Sequence, residues 1–167
     1  MPHHLRKPAV ETTVRDSALP WTIIAPTMYQ QTLLGLCQRA ADGVVRLPYR
    51  ASARFHLVDL ADVACVLGLV AGAPAEHAYA SYELAGPQRL STEEMVEQVG
   101  SATGRNLWVE QTPWAALPLP ASLSLTEVAE RMAMFARYDR GGYPGNPTVL
   151  RALLGHDPTP LASTARR

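Results

Sequence analysis

Three side chains near the start of the chain could act together in one piece of chemistry. They are His3, Lys7 and Glu11, in the pattern His-x-x-x-Lys-x-x-x-Glu. A spacing of four brings residues to one face of a helix. A lysine beside an ionisable ring can hold a ribose and raise the acidity of a neighbouring proton donor. A glutamate one turn further on can hold the lysine. The same pattern also describes a plain amphipathic face whose i,i+4 pair contributes a few tenths of a kcal/mol. On spacing alone, that plainer reading carries more weight.

The other reactive residue types are scattered. Asp59 and Asp62 suggest a metal, but one as a helix cap and the other facing solvent or an arginine explains them better. His56, His77 and His156 lie far apart without ligand spacing and read as surface histidines. Cys37 and Cys65 form no C-x-x-C pair and sit in apolar runs, which points to buried, reduced thiols. No metal site is expected. Trp108 and Trp114 flank a proline and read as packing residues. The Arg140–Tyr143 loop is either a surface turn or an edge of a substrate pocket. No G-x-G-x-x-G or G-x-x-x-x-G-K-S/T occurs, so nothing here cradles a pyrophosphate in the usual way.

The elements that must position these residues alternate between helix and strand. A helix over 3–16 is followed by a nearly continuous apolar run at 20–25, which suits a strand buried on both faces of a parallel sheet. A helix capped by Thr27 follows to Ala41, then strands at 44–47 and 55–58. Asp59 or Asp62 opens a helix to Ala71. A strand runs from Tyr79 to Leu84. Ser91 and Glu94 form a capping box for a helix ending at Gly104. A strand at 106–111, a short helix at Thr112, a longer one opened by Ser122 or Ser124, a loop at 141–147 and a helix at 148–154 complete the pattern. Residues 158–167 read as a frayed tail. Alternation of this kind gives an α/β class.

The 167 residues suffice for one domain with a sizeable core, and 47% are apolar. Fifteen basic residues balance fifteen acidic ones. Such a chain has no electrostatic reason to seek nucleic acid or an anionic membrane. No apolar run is long enough to span a bilayer and no signal peptide is visible, so a cytoplasmic protein is expected. Lys7 is the one lysine among arginines.

Several segments, in order, resemble atypical short-chain dehydrogenases/reductases. Those proteins carry Tyr-x-x-x-Lys-x-x-x-Glu on a helix, then a strand of the form L-P-x-T-I-I-R-P. Here His3, Lys7 and Glu11 precede Leu19-Pro20-Trp21-Thr22-Ile23-Ile24-Ala25-Pro26 and Thr27-Met28-Tyr29-Gln30-Gln31. Phe55-x-x-Val58-Asp59-x-x-Asp62-Val63-Ala64, and Tyr82-Glu83-Leu84-x-Gly86-Pro87 with Leu90-Ser91, extend the match. His in place of Tyr, Gly104-Arg105 and the Leu154–Pro158 ending resemble the NmrA-like branch.

The resemblance implies the C-terminal part of a Rossmann-like parallel sheet plus a small, mainly helical substrate-side lobe, with the N-terminal nucleotide-binding strands absent. At roughly 30 residues per βαβ unit, about 120 residues would precede residue 1. Residues 1–71 would close the Rossmann core, 72–157 form the substrate-side lobe and 158–167 the tail. The cofactor implied is NADP or NAD, with Lys7, Pro26, Thr27 and Met28 bordering it. Catalytic roles would fall to His3, Lys7 and Tyr29. Two departures stand out: His3 removes the usual phenol, and Ala25 replaces the usual arginine. The chain alone is not expected to bind NAD(P) with ordinary affinity. Its expected partners are a nicotinamide dinucleotide, a small-molecule substrate, and a second copy or a complementing N-terminal half. Three roles follow: part of an NAD(P)H-dependent oxidoreductase acting on a carbonyl or quinone-type acceptor, a non-catalytic redox sensor, or an inactive truncated fragment.

Overall fold

A computed structural model describes residues 2–117 and 123–167, with side chains from Lys7 onward. Helix α1 (Pro2–Arg15) continues through Pro8 and leads to strand β1 (Thr22–Pro26). Arg15 secures the junction: its guanidinium lies 4.7 Å over the Trp21 ring and donates to Ser81 Oγ at 2.9 Å. β1 pairs in parallel with β5 (Ala80–Leu84), Thr22 opposite Ala80 and Pro26 opposite Leu84. Most of its side chains are half-buried and Ala25 is exposed, so the expected cover on both faces is not met within this chain.

The helix expected to start at Thr27 starts three residues later. Met28–Tyr29 forms a two-residue strand, β2, and α2 runs Gln30–Arg39. The cause is non-local. β2 pairs in parallel with β4 (Arg54–Val58), Met28 opposite Leu57 and Tyr29 opposite Val58. β4 also pairs antiparallel with β6 (Arg89–Ser91) and parallel with β8 (Gly142–Tyr143). Thus the loop expected at 141–147 is partly strand. Gly142 is required there: its φ is +79°, and a Cβ would lie 2.0 Å from the Arg54 carbonyl oxygen. A third parallel pair joins β3 (Val44–Leu47) to β7 (Trp108–Gln111).

The helix caps were legible. Asp59 opens α3 (Leu60–Gly72), with Ala61 N–H donating to Asp59 Oδ1 at 2.7 Å. Ser91 and Glu94 make the capping box of α4 (Thr92–Thr103), and Gly104 ends it in the left-handed conformation. Ser124 and Glu127 make another capping box for α5 (Leu125–Asp139); Ser122, the other candidate, lies outside the described residues. Helix α6 (Thr148–Leu154) follows, closed by Gly155.

Alternation along β4 divides the core, as a strand's period of two requires. Phe55 and Leu57 face one cluster with Tyr49, Val96 and Tyr138, while Val58 faces another with Val63, Leu84 and Leu150. In the first cluster the rings of Tyr49, Phe55 and Tyr138 meet edge to face with centroids 5.3–5.8 Å apart. Such pairs add about 0.5–1.5 kcal/mol beyond their buried area. Burial pushes the Tyr49 and Tyr138 phenols up to about 12, so both stay protonated.

The tail is not frayed. Residues Leu161–Ala165 form α7, with Leu161 and Thr164 buried. Gln30 and Asp59, both 1% exposed, hold it. The Thr164 hydroxyl lies 2.6 Å from Asp59 Oδ2 and 2.5 Å from Gln30 Oε1, so its single proton serves two acceptors in turn. Gln31 Nε2 donates to Asp59 at 3.0 Å, and Arg167 donates to it as well. Gln30 Nε2 donates to the Thr159 carbonyl at 2.9 Å. Asp62, expected on the surface, is buried and accepts from both the backbone N–H and the hydroxyl of Thr159.

Burial by itself would raise the Asp59 pKa. The hydrogen bonds from Thr164, Ala61 and Gln31, with the Arg167 charge, outweigh it and hold the carboxyl below its ordinary value. A depressed folded-state pKa stabilises the fold above the ordinary carboxylate range, and that contribution fades as pH falls through the depressed value. Asp59→Asn should therefore cost roughly 2 kcal/mol at neutral pH. The gap between wild type and variant should narrow on acidification, as read by urea unfolding at several pH values. A gap constant with pH would show that Asp59 is not the ionised hub.

Candidate functional site

The β2–α2 junction, placed by β4, opens onto a cavity of about 850 Å³. Met28 and Tyr29 form its β2 wall, and Leu33 and Leu36 of α2 continue it. Met134, Phe135 and Tyr138 of α5 face them, at the spacing of one helix face. Trp114, in a 3-10 turn over Trp114–Ala116, closes one side and packs 5.1 Å from the Phe135 ring. The packing role expected of Trp114 therefore comes with a place on the cavity wall. Trp108 is 48% exposed.

The residues singled out from the sequence fall in three places. Met28 and Tyr29 line the cavity, and Tyr29 also packs on the Val58–Leu84 cluster. Pro26 ends β1, and Thr27 joins β1 to β2. The Thr27 hydroxyl is buried without a hydrogen-bond partner among the described residues, although its backbone N–H donates to the Leu84 carbonyl at 2.9 Å. Lys7 is exposed on α1, and Glu11 pairs with Arg15 at 3.6 Å. The His3 side chain lies outside the described residues.

Two expectations need correction here. His56 is buried, 8% exposed, and its Nδ1 accepts from the Gly145 N–H at 3.0 Å. Burial first, then the Arg89 charge, lowers its pKa, so the ring is neutral with its proton on Nε2. Cys65 is exposed, whereas Cys37 is buried and pushed up to about 11, an inert thiol. His77 bonds Tyr82 at 2.9 Å. Among the described residues no three His, Cys, Asp or Glu side chains are grouped to hold a metal. No described helix is long and apolar enough to cross a membrane.

The α5 wall of the cavity was missed in the sequence. Its signal was present in Arg131, Met134, Phe135 and Tyr138, spaced by three, one and three. Read alone, that stripe is indistinguishable from an ordinary core face.

Comparison with known proteins settles the lineage. The profile of the NmrA-like family spans residues 1–156. The chain belongs to the NmrA-like family. It is 31% identical over 137 residues to a (4-alkanoyl-5-oxo-2,5-dihydrofuran-3-yl)methyl phosphate reductase of Streptomyces griseus, covering 76% of this chain and 48% of that one. An NADPH-dependent quinone oxidoreductase from Escherichia coli, solved with NADPH, superimposes with a TM-score of 0.74 at 21% identity, covering 93% of this chain and 56% of that one. NmrA, a negative transcriptional regulator solved with NAD, superimposes with a TM-score of 0.70 at 18% identity, covering 95% and 55%. The two structures share the Rossmann-like fold with this NmrA-like chain. The chain spans about half the length of each relative.

In the NmrA-like chain the Thr27 hydroxyl is the one buried side-chain polar group at the β1–β2 junction without a partner among the described residues. Left unpaired, it costs about 1–3 kcal/mol relative to a bonded one. Thr27→Val should therefore leave the free chain equally stable or more stable by about 1 kcal/mol in urea unfolding. A clear loss of stability would show that the hydroxyl is bonded within the chain.

Proposed function

We propose that this NmrA-like chain forms the substrate side of an NAD(P)H-dependent oxidoreductase, acting on a carbonyl or quinone-type acceptor when completed by a nucleotide-binding half. The observation that carries this reading is the cavity walled by Met28 and Tyr29, on the loop that leaves the end of β1. Ligands of open α/β sheets bind beyond the carboxyl ends of the strands. Residues 1–71 then form the end of the nucleotide-binding core, 72–157 the substrate-side lobe, and 158–167 the segment that locks the two together.

The residues present fit only one end of a nicotinamide dinucleotide. Met28 on the cavity wall, with the Pro26–Thr27 segment that leads into it, suits the nicotinamide end. The pyrophosphate has no glycine-rich cradle here: Asp59, Ser91 and Ser124 fill the N-termini of α3, α4 and α5, and α2, which has no side-chain cap, follows Met28-Tyr29 and not a glycine loop. A reduced nicotinamide, when bound, supplies the hydride. Lys7 would position its ribose, Tyr29 or His3 would hold a proton at the acceptor, and the apolar wall would exclude water. NADP and NAD are equally compatible with these residues. The whole protein would be cytoplasmic, and it would bind a complementing half or a second copy of itself.

A second reading is a nucleotide-sensing regulator without turnover. It is favoured by His3 at the position of the usual tyrosine and by the likeness to NmrA.

Titrating NADPH into the chain alone, and then with the nucleotide-binding half of a family member supplied in trans, tests the proposal. The account expects no saturable binding by the chain alone. It expects binding and quinone-dependent NADPH oxidation in the reconstituted protein. Tight binding by the chain alone would overturn the division of labour. Binding without oxidation of NADPH by any quinone or carbonyl would favour the regulator.

A further inference from the structure

Two arginines at the rim of the cavity carry guanidinium groups with no hydrogen bond or ion pair among the described residues. Arg39, in the last turn of α2, is exposed, and its guanidinium has no hydrogen bond or ion pair among the described residues. Arg131, on α5 across the cavity, is exposed too. Its acidic neighbour one turn earlier, Glu127, makes its hydrogen bonds with Ser124, accepting from the backbone N–H at 2.8 Å and the hydroxyl at 2.7 Å; those bonds first, and then the Arg131 charge, hold its carboxyl below the ordinary value.

A third arginine on the same rim shows the contrast. Arg46 is neutralised by Asp42 at 2.8 Å and lies 3.9 Å from Glu110. Asp42 is thus occupied, and the rim keeps a positive surplus, undivided on Arg39 and shared with Glu127 on Arg131. This surplus is local, because the whole chain carries a formal net charge of zero. Below the rim the wall is apolar and aromatic, with Leu33, Leu36, Trp114 and Phe135. An apolar depth under two uncommitted guanidinium groups has the polarity of an amphipathic anion.

We propose that Arg39 and Arg131 select an amphipathic organic anion, its apolar or aromatic body in the cavity and its carboxylate or phosphate at the rim. This rests on the reading of the cavity as the substrate site. Guanidinium groups match either oxyanion through paired N–H donors. Exposed ion contacts are individually modest, about 1 kcal/mol or less, so two together give about tenfold in affinity. The competing role for both residues is to lay their aliphatic stems over apolar surface with the charge merely in water.

Isothermal titration of the 167-residue chain with three probes separates these roles. The probes are naphthalene-2-carboxylate, 2-naphthyl phosphate and the neutral naphthalene-2-carboxamide. At least one anion should bind about tenfold more tightly than the amide. The difference between carboxylate and phosphate identifies the head group. Arg39→Gln and Arg131→Gln should each cut the preference for the anion to about threefold, and the double variant should bring the anion close to the amide, without changing amide affinity. Arg39→Lys and Arg131→Lys should keep most of the difference. Equal binding of anions and amide would overturn the anion proposal and leave the cavity as a ligand site. Failure of all three probes to bind would overturn both.

Discussion

A carboxylate sealed from water is the constraint on which this structure turns. Asp59 is 1% exposed, and an uncompensated buried charge costs several kcal/mol. The fold compensates it from three directions. Ala61 donates from α3, Gln31 from α2, and Thr164 and Arg167 from the C-terminal segment. The same residue caps a helix, ties it to its neighbour and anchors a segment more than a hundred positions away in sequence. Gln30 and Asp62 repeat the pattern on either side, both reaching Thr159. Because α2 also forms a wall of the large cavity, the carboxylate that holds α7 sets the position of that wall.

Much of the fold was legible because its signals are local. Ser91 and Glu94, Asp59, Gly104 and Gly155 act within a few residues of themselves, and each does what its chemistry predicts. The strands at 44–47 and 55–58 and the helix at 148–154 are likewise written in short-range patterns. What failed depended on contacts distant in sequence. Thr27 had the credentials of a cap, but the pairing of Met28–Tyr29 with Leu57–Val58 turned the next two residues into strand. Residues 158–167 looked like a tail because their partners, Gln30, Asp59 and Asp62, lie about a hundred residues earlier. His56 and Cys65 were misjudged for the same reason. A neighbouring loop covers His56, and no neighbour covers Cys65.

The candidate site was half legible. The Pro26–Tyr29 loop was singled out through its resemblance to a family, and of its residues Met28 and Tyr29 line the cavity. The opposite wall on α5 was not found, since an apolar helical stripe carries no mark that separates a cavity lining from a packed core. The split also has a chemical side. This chain supplies apolar enclosure, uncommitted arginines and an orphaned hydroxyl. It supplies no glycine-rich loop before a described helix to cradle a pyrophosphate in the usual manner. The NmrA-like relatives are about twice as long as this chain.

The central claim is that Asp59 makes α2, α3 and α7 a single cooperative unit, so that the cavity wall depends on the C-terminal segment. Amide hydrogen exchange in the Thr164→Val variant tests it most directly. The account predicts faster exchange in α2, from Leu33 to Arg39, and at the start of α3, together with α7. Faster exchange confined to α7, with α2 and α3 protected as before, would contradict it.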